Sequence, residues 1–302
     1  MTVSYTMKGR LLLALAAVIT MRIGITENSY NIYPKEERYH RIKADGYDCV
    51  DFSMSNTECE PYTLAGEAFE AFFARERALA EEAGVAIWQV HGPWRWPPQD
   101  GTEEDRAERM DKMKTSIRGT ALLGCKNWIV HPIMPFGINE LGTDDAQKTW
   151  DLNVVFMREL LAYAKEYGVI ICFENMPMPQ FSIGSVEAIM RFVREMNDDS
   201  FRVCLDTGHV NVFPGQSLYD AVHKIGDHLQ TLHVHDNSGR SDEHKLPWFG
   251  SADWEGFGRA LREIGFTGVF SYETGPSRSL PPDLYGDMLR FMVRSVDYII
   301  SE

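Results

Sequence analysis

Short apolar runs that end in a histidine or a carboxylate recur along this chain, and the recurrence constrains its fold more than any single motif. In chain order the polar residues are His91, His131, Glu174, Asp206, His209, His233, Asp242, His244 and Glu273. Each follows, or lies just past, a run such as Ile87-Trp88-Gln89-Val90, Trp128-Ile129-Val130, Val203-Cys204-Leu205 or Val269-Phe270-Ser271-Tyr272. In an eight-fold barrel of parallel strands, side chains at the C-terminal strand ends converge on one mouth. Imidazoles and carboxylates gathered there make a site for a divalent transition ion.

The spacing supports that architecture. Strands are expected at 22–26, 48–52, 86–90, 127–131, 169–173, 202–206, 230–235 and 268–272. Amphipathic helical patterns alternate with them at 35–45, 65–83, 102–124, 146–167, 184–197, 217–228, 253–264 and 282–300. Gly46, Gly84, Gly124, Gly168 and Gly265 close helices where a left-handed residue is needed before the next strand. The pattern is that of an α/β protein built as one (β/α)8 TIM barrel. No G-x-G-x-x-G follows the first strand, which weighs against an open dinucleotide-binding sheet. No linker divides the chain, so 21–302 reads as a single domain.

Residues 1–20 stand apart. Lys8 and Arg10 precede an apolar stretch at 11–19, which resembles a signal peptide yet is too short to span a bilayer. Met21-Arg22-Ile23-Gly24-Ile25 begins the first strand at once, with no cleavage site or spacer, so an over-extended start with Met21 as the first residue is expected. Five cysteines, an odd number without a C-x-x-C pair, read as reduced thiols of a cytoplasmic protein. The formal charge is −14, from 30 basic and 44 acidic residues. Such a surface argues against nucleic acid, whose binding rests on Lys and Arg replacing counterions, and against anionic membranes.

Glu174 stands straight after five apolar residues, where a carboxylate is costly to bury unless paired or bound to metal. Asp206 and His209 leave the sixth strand three residues apart; Asp206 also suits the N-cap of a following helix. His233 and His235 share a face of the seventh strand by alternation, so one is a ligand and the other a neighbouring or substrate-contacting group. Asp242 and His244 form a further pair in the loop beyond. Glu174 and Glu273 across one metal suit acid/base work on either side of a substrate carbon. Trp94, Trp96 and Trp248 offer aromatic faces for the C–H faces of a sugar, and Arg240 a cationic rim contact. Arg95, Lys245 and Arg278 are the other basic residues expected at the rim.

Together, Glu174-Asn175, Leu205-Asp206-Thr207-Gly208-His209, His233-x-x-Asp236 and Asp242-x-His244 resemble the xylose-isomerase-like barrel superfamily from Met21 onward. That superfamily holds sugar (phosphate) isomerases and epimerases and also endonuclease IV. The resemblance implies one Mn, Co, Mg or Zn ion per chain, held by Glu174, Asp206, His233 and Glu273. It implies proton transfer by Glu174 and Glu273 through a cis-enediolate, a small carbohydrate substrate and a homo-oligomer. The repair-enzyme branch implies instead three zinc ions, with His91, His131, His209, Asp242 and His244 as the added ligands. Other open readings are a lyase or dehydratase acting on an oxidised glycoside, and a sugar-sensing barrel without catalysis. His91, His131, His209, His235, Asp242 and His244 therefore stand as either metal ligands or substrate contacts.

Overall fold

The computed structural model describes residues 21–301; the segment 1–20 and its reading as a signal or an over-extended start lie outside them. Eight strands alternate with helices: β1 Arg22–Thr26, β2 Cys49–Ser53, β3 Ala86–His91, β4 Asn127–Val130, β5 Ile170–Glu174, β6 Phe201–Asp206, β7 Leu229–His233 and β8 Val269–Tyr272. The helices are α1 Lys35–Asp45, α2 Gly66–Ala83, α3 Glu103–Leu122, α4 Asp144–Glu166, α5 Val186–Met196, α6 Thr207–Asn211, α7 Leu218–Ile225, α8 Trp254–Glu263 and α9 Pro282–Ile300.

The sheet runs β7-β6-β5-β4-β3-β2-β1-β8, with parallel neighbours throughout. Val234, just past β7, bridges Tyr272 of β8 and closes the circle. Its N–H donates to Ser271 O at 2.8 Å, and Glu273 N–H donates to Val234 O at 3.2 Å. This is the TIM barrel that the strand spacing implied.

Alternation then decides which residues face the axis. Glu174 and Cys172 share one face of β5, Asp206 and Cys204 one face of β6, and His131 and Ile129 one face at β4. Ile129, Cys172 and Cys204 pack together as a small cluster separate from the main core. They fill the barrel beneath the polar mouth. The opposite faces carry Trp128, Phe173, Phe201 and Phe270, fully buried within the main core. Each such side chain contributes about 1.5–3 kcal/mol by leaving water.

Two irregularities aim the polar residues. Between Val50 and Asp51 the pairing of β2 with β3 shifts by one residue, setting Asp51 beside Gln89. Between Val203 and Cys204 a second shift sets Asp206 beside His233. An extra residue in one strand re-aims the side chains after it.

Helix ends follow the expected chemistry. Thr102 and Asp105 form a reciprocal capping box on α3, and Ser185, Ser217 and Asp253 cap α5, α7 and α8. All five C-terminal glycines take positive φ, Gly46 at 105° directly as the cap of α1. The short α6 is absent from the helical patterns read from the sequence, because Thr207-Gly208-His209 carries no apolar repeat, but its N-cap is Asp206, as that residue's place allowed. It starts where Asp206 Oδ1 accepts from His209 N–H at 2.7 Å. Nine α-helices, rather than eight, therefore stand among the described residues.

Candidate functional site

Every strand-end residue singled out in the sequence lies at the C-terminal end of the barrel. His91, Glu174, Asp206 and His233 are the last residues of β3, β5, β6 and β7; His131 and Glu273 lie just past β4 and β8. Asp242 and His244 return over the mouth because the loop after β7 closes on itself. Asp236 N–H donates to Lys245 O at 2.7 Å, and Lys245 N–H to Asp236 O at 2.7 Å. The Asp236 carboxylate is itself pinned by Gly250 N–H, Ala252 N–H and Trp254 Nε1–H at 3.0–3.1 Å.

Glu174 is at the centre and wholly buried. Its Oε1 lies 2.8 Å from His233 Nδ1 and its Oε2 2.8 Å from His131 Nε2. Glu273 Oε2 approaches the same His233 Nδ1 at 3.4 Å, and its Oε1 lies 3.5 Å from His91 Nε2. Asp206 Oδ2 meets His235 Nε2 at 3.0 Å. His209 joins the two sides, with Nδ1 3.9 Å from Glu174 Oε1 and 3.7 Å from Asp206 Oδ1. Asp242 Oδ2 lies 3.3 Å from His209 Nε2 and 3.2 Å from His244 Nε2.

Overlapping triads of donor atoms lie within 4.8 Å of one another: His91 with His131 and Glu174, His91 with His233 and Glu273, and Asp206 with His209 and His235. The buried atoms fit a shared cation. Glu174 Oε2, close as it is to His131, makes no hydrogen bond, and His131 Nδ1 is likewise unpartnered. Both nitrogens of His233 face carboxylates, whereas a neutral imidazole has one proton to offer. Nitrogen and carboxylate donors of this kind suit a divalent cation.

The electrostatics are divided within the cluster. Burial by itself would raise the Glu174 pKa, but the His233 and His131 rings outweigh it and hold the carboxyl well below its ordinary range. Burial raises Glu273, against the pull of His233. Burial pushes His131 down to about 4, although Glu174 opposes it. It lowers His209 too, yet Asp206 and Asp242 outweigh it and bring that ring to about 10.

Two adjoining hollows open onto the cluster, of about 380 and 450 Å³, and both are lined by Ser55, His91, His244 and Glu273. The larger is walled by Trp94, Trp96, Met176 and Met178. Trp94 sets its edge against the His131 ring, with centroids 4.5 Å apart. The smaller is lined on the side of β1 and β2 by Thr26, Asn28, Asp51 and Ser53, and after β8 by Thr274 and Arg278. Trp248 and Arg240 line neither hollow: Trp248 turns outward at φ 67° and lies over Trp254, Arg262 and Tyr298.

Sequence reasoning did not single out Asp51. It is buried on β2, with Oδ2 2.8 Å from His233 Nε2 and 3.1 Å from Gln89 Nε2. A carboxylate at an inward position of an apolar strand was the available signal. Nor did it find Asp100 and Arg109, a buried ion pair at 2.5 Å behind Trp94. The five cysteines are free thiols, and only Cys59 is not buried.

Fold and site together define a TIM barrel with a carboxylate–imidazole cluster at its C-terminal mouth. Residues 39–295 match the model of the xylose isomerase-like TIM barrel family, and the chain belongs to that family. A D-psicose 3-epimerase of Enterocloster bolteae is 25% identical over 237 residues, which cover 76% of this chain and 73% of that protein. A probable endonuclease 4 of Mycoplasmopsis agalactiae is 23% identical over 164 residues, 52% of this chain and 55% of that one. Across three of the curated relatives, the chain spans 63%, 73% and 55% of their length. The crystal structure of a D-tagatose 3-epimerase-like protein superposes with a TM-score of 0.72 at 21% identity, over 93% of this chain and 98% of that one; this likeness is one of fold. No described helix is long and apolar enough to cross a membrane.

Proposed function

We propose that this protein is a divalent-metal-dependent isomerase or epimerase of a keto-sugar. One observation carries the reading: Glu174 and Glu273 approach the same His233 nitrogen, at 2.8 and 3.4 Å, from two different strands. Two carboxylates so placed can take a proton from one side of a substrate carbon and return one on the other. Glu174, Asp206, His233 and Glu273 would hold the ion, which when bound polarises the carbonyl next to that carbon. Glu174 and Glu273 then carry the proton through an enediolate, while Trp94 and Trp96 cover a C–H face of the sugar. The epimerases among its relatives support the same class of reaction.

The test begins with metal content, measured by mass spectrometry on protein purified without added metal or chelator. About one Mn, Co, Mg or Zn per chain is expected. Deuterium from heavy water should then enter keto-sugars at the carbon beside the carbonyl, and product analysis separates epimerisation from lyase or dehydratase chemistry. The His209–Asp242–His244 group, at 3.3 and 3.2 Å, favours a second reading as a multinuclear phosphodiesterase. Two or three zinc ions per chain with cleavage of abasic DNA, and no deuterium uptake, would put that reading in place of the first.

A further inference from the structure

Two hollows, rather than one, meet beside Glu273. His91, His244 and Glu273 line both, so a carbon served by Glu273 lies at their junction. Their volumes are about 380 and 450 Å³, and each alone falls in the span of about 300–1,000 Å³ that small-molecule sites occupy. A substrate reacting at the junction therefore has room for a ring-sized part on either side.

The two sides ask for different chemistry. One is walled by Trp94 and Trp96, whose rings stack with centroids 6.2 Å apart and planes 30° from parallel. Indole faces suit the C–H face of a closed sugar ring. The other side offers hydrogen bonds, from Thr26, Asn28, Ser53 and Thr274 and from the Asp51 carboxylate. Asp51 is 1% exposed and its Oδ1 has no hydrogen-bond partner, so that oxygen lacks a donor. Arg278 lines this hollow too, but against two carboxylates, Asp51 and Glu273. That balance suits uncharged hydroxyl groups, which donate to carboxylates and accept from the rest.

A free ketose exposes its carbonyl only when its ring opens, and an open chain has no ring face to lay on Trp94 and Trp96. A glycoside oxidised at a ring carbon keeps its ring closed and its carbonyl free together. We propose that the substrate is such a glycoside, with the keto group on a ring carbon, and not a free ketose. The keto ring lies on Trp94 and Trp96, the reacting carbon beside Glu273, and the glycosidically linked group in the polar hollow. The inference rests on the isomerase reading for the reaction. The C–H bond beside the carbonyl breaks, its proton passes to one glutamate and its electron pair forms the enediolate. The other glutamate returns a proton to the opposite face, so neither oxidant nor reductant is consumed.

The test is a calorimetric titration of the metal-loaded protein with unreactive ligands: cellobiose, maltose and sucrose against methyl β-glucoside and open-chain glucitol. The tightest disaccharide should bind about tenfold better than methyl β-glucoside. Asn28→Trp, which crowds the polar hollow from an exposed position, should reduce that margin to about twofold or less. Methyl β-glucoside should in turn bind roughly two- to tenfold better than glucitol, and Trp96→Ala should remove that second margin. Disaccharides binding no better than methyl β-glucoside, or not at all up to roughly 50 mM, overturn the proposal, and the wild-type protein alone decides this. Deuterium uptake is then compared between D-fructose and a ring-ketone derivative of the tightest disaccharide. Disaccharide preference without uptake into any keto-sugar would retire the isomerase reading alone. Uptake into D-fructose with kcat/KM equal to or above that of the keto-disaccharide would retire the glycoside alone.

Discussion

Asp51 Oδ2 lies 2.8 Å from His233 Nε2, and both side chains are shut away from water. Both nitrogens of His233 face carboxylates, so an ion bound at Nδ1, on the side of Glu174 and Glu273, would leave the ring proton on Nε2, donated to Asp51. Asp51→Ala is expected to weaken divalent-metal binding by about 10–100-fold. Asp51→Asn should lose less, because its amide oxygen can still accept from Nε2–H. Titration with Co(II), followed by visible absorption, gives the affinities, and thermal melts show that the variants fold. Unchanged affinity in folded Asp51→Ala would reduce the pair to packing.

Glu273 sits at the mouth rather than at the bottom of the cluster, with 19% of its side chain exposed against none for Glu174. Replacing it with glutamine keeps an oxygen donor while removing the proton carrier. Glu273→Gln should retain the fold and most metal binding, yet lower deuterium exchange into keto-sugars by about 10²–10⁴-fold. Exchange at the normal rate would end the two-glutamate account.

The barrel and the ring of polar residues at its mouth were legible because both depend on a period. Strand ends recur, and a histidine or carboxylate after an apolar run marks those from the third strand to the eighth. What was not legible depends on how loops travel. Arg240 and Trp248 lie in the same loop after the seventh strand, on either side of Asp242 and His244, but the Asp236–Lys245 pairing turns Asp242 and His244 inward and leaves Trp248 outside. Asp51 lies within Cys49-Val50-Asp51-Phe52-Ser53, an ordinary strand to the eye. Its role appears only once the register shift against β3 sets it beside Gln89 and across from His233. His233 and His235 could not be ranked by alternation, since both face inward. The structure separates them by partner: Glu174 and Glu273 for the first, Asp206 for the second.

Trp94 and Trp96 form the apolar wall, with ring centroids 6.2 Å apart, but only Trp94 braces His131. Trp96 is 58% exposed. Trp94→Ala should raise the KM for a keto-sugar roughly two- to tenfold, from a stacking contribution of about 0.5–1.5 kcal/mol, with some loss of kcat as His131 is freed. Trp96→Ala should raise KM alone. Steady-state kinetics on the two variants distinguishes these outcomes, and equal kcat losses would mean that bracing His131 is not what sets Trp94 apart.

Asp100 and Arg109 form a buried ion pair outside the polar cluster. Both are nearly inaccessible, at 1% and 4% exposure. Asp100 Oδ2 accepts from Arg109 Nη1 at 2.5 Å and from Met134 N–H at 2.8 Å, so one carboxylate ties α3 to the loops after β3 and β4. The guanidinium lies 5.7 Å from the Trp94 ring centroid, directly behind the aromatic wall. Arg109→Met fills much of the same volume but leaves Asp100 charged and uncompensated in a dry interior. Breaking a buried pair from one side costs about 3–5 kcal/mol, whereas replacing both partners can be nearly neutral. Urea denaturation should therefore show a large loss for Arg109→Met and a partial recovery when Asp100→Asn is added. If the double variant is no more stable than the single one, the loss comes from packing against Trp94 and not from the stranded carboxylate.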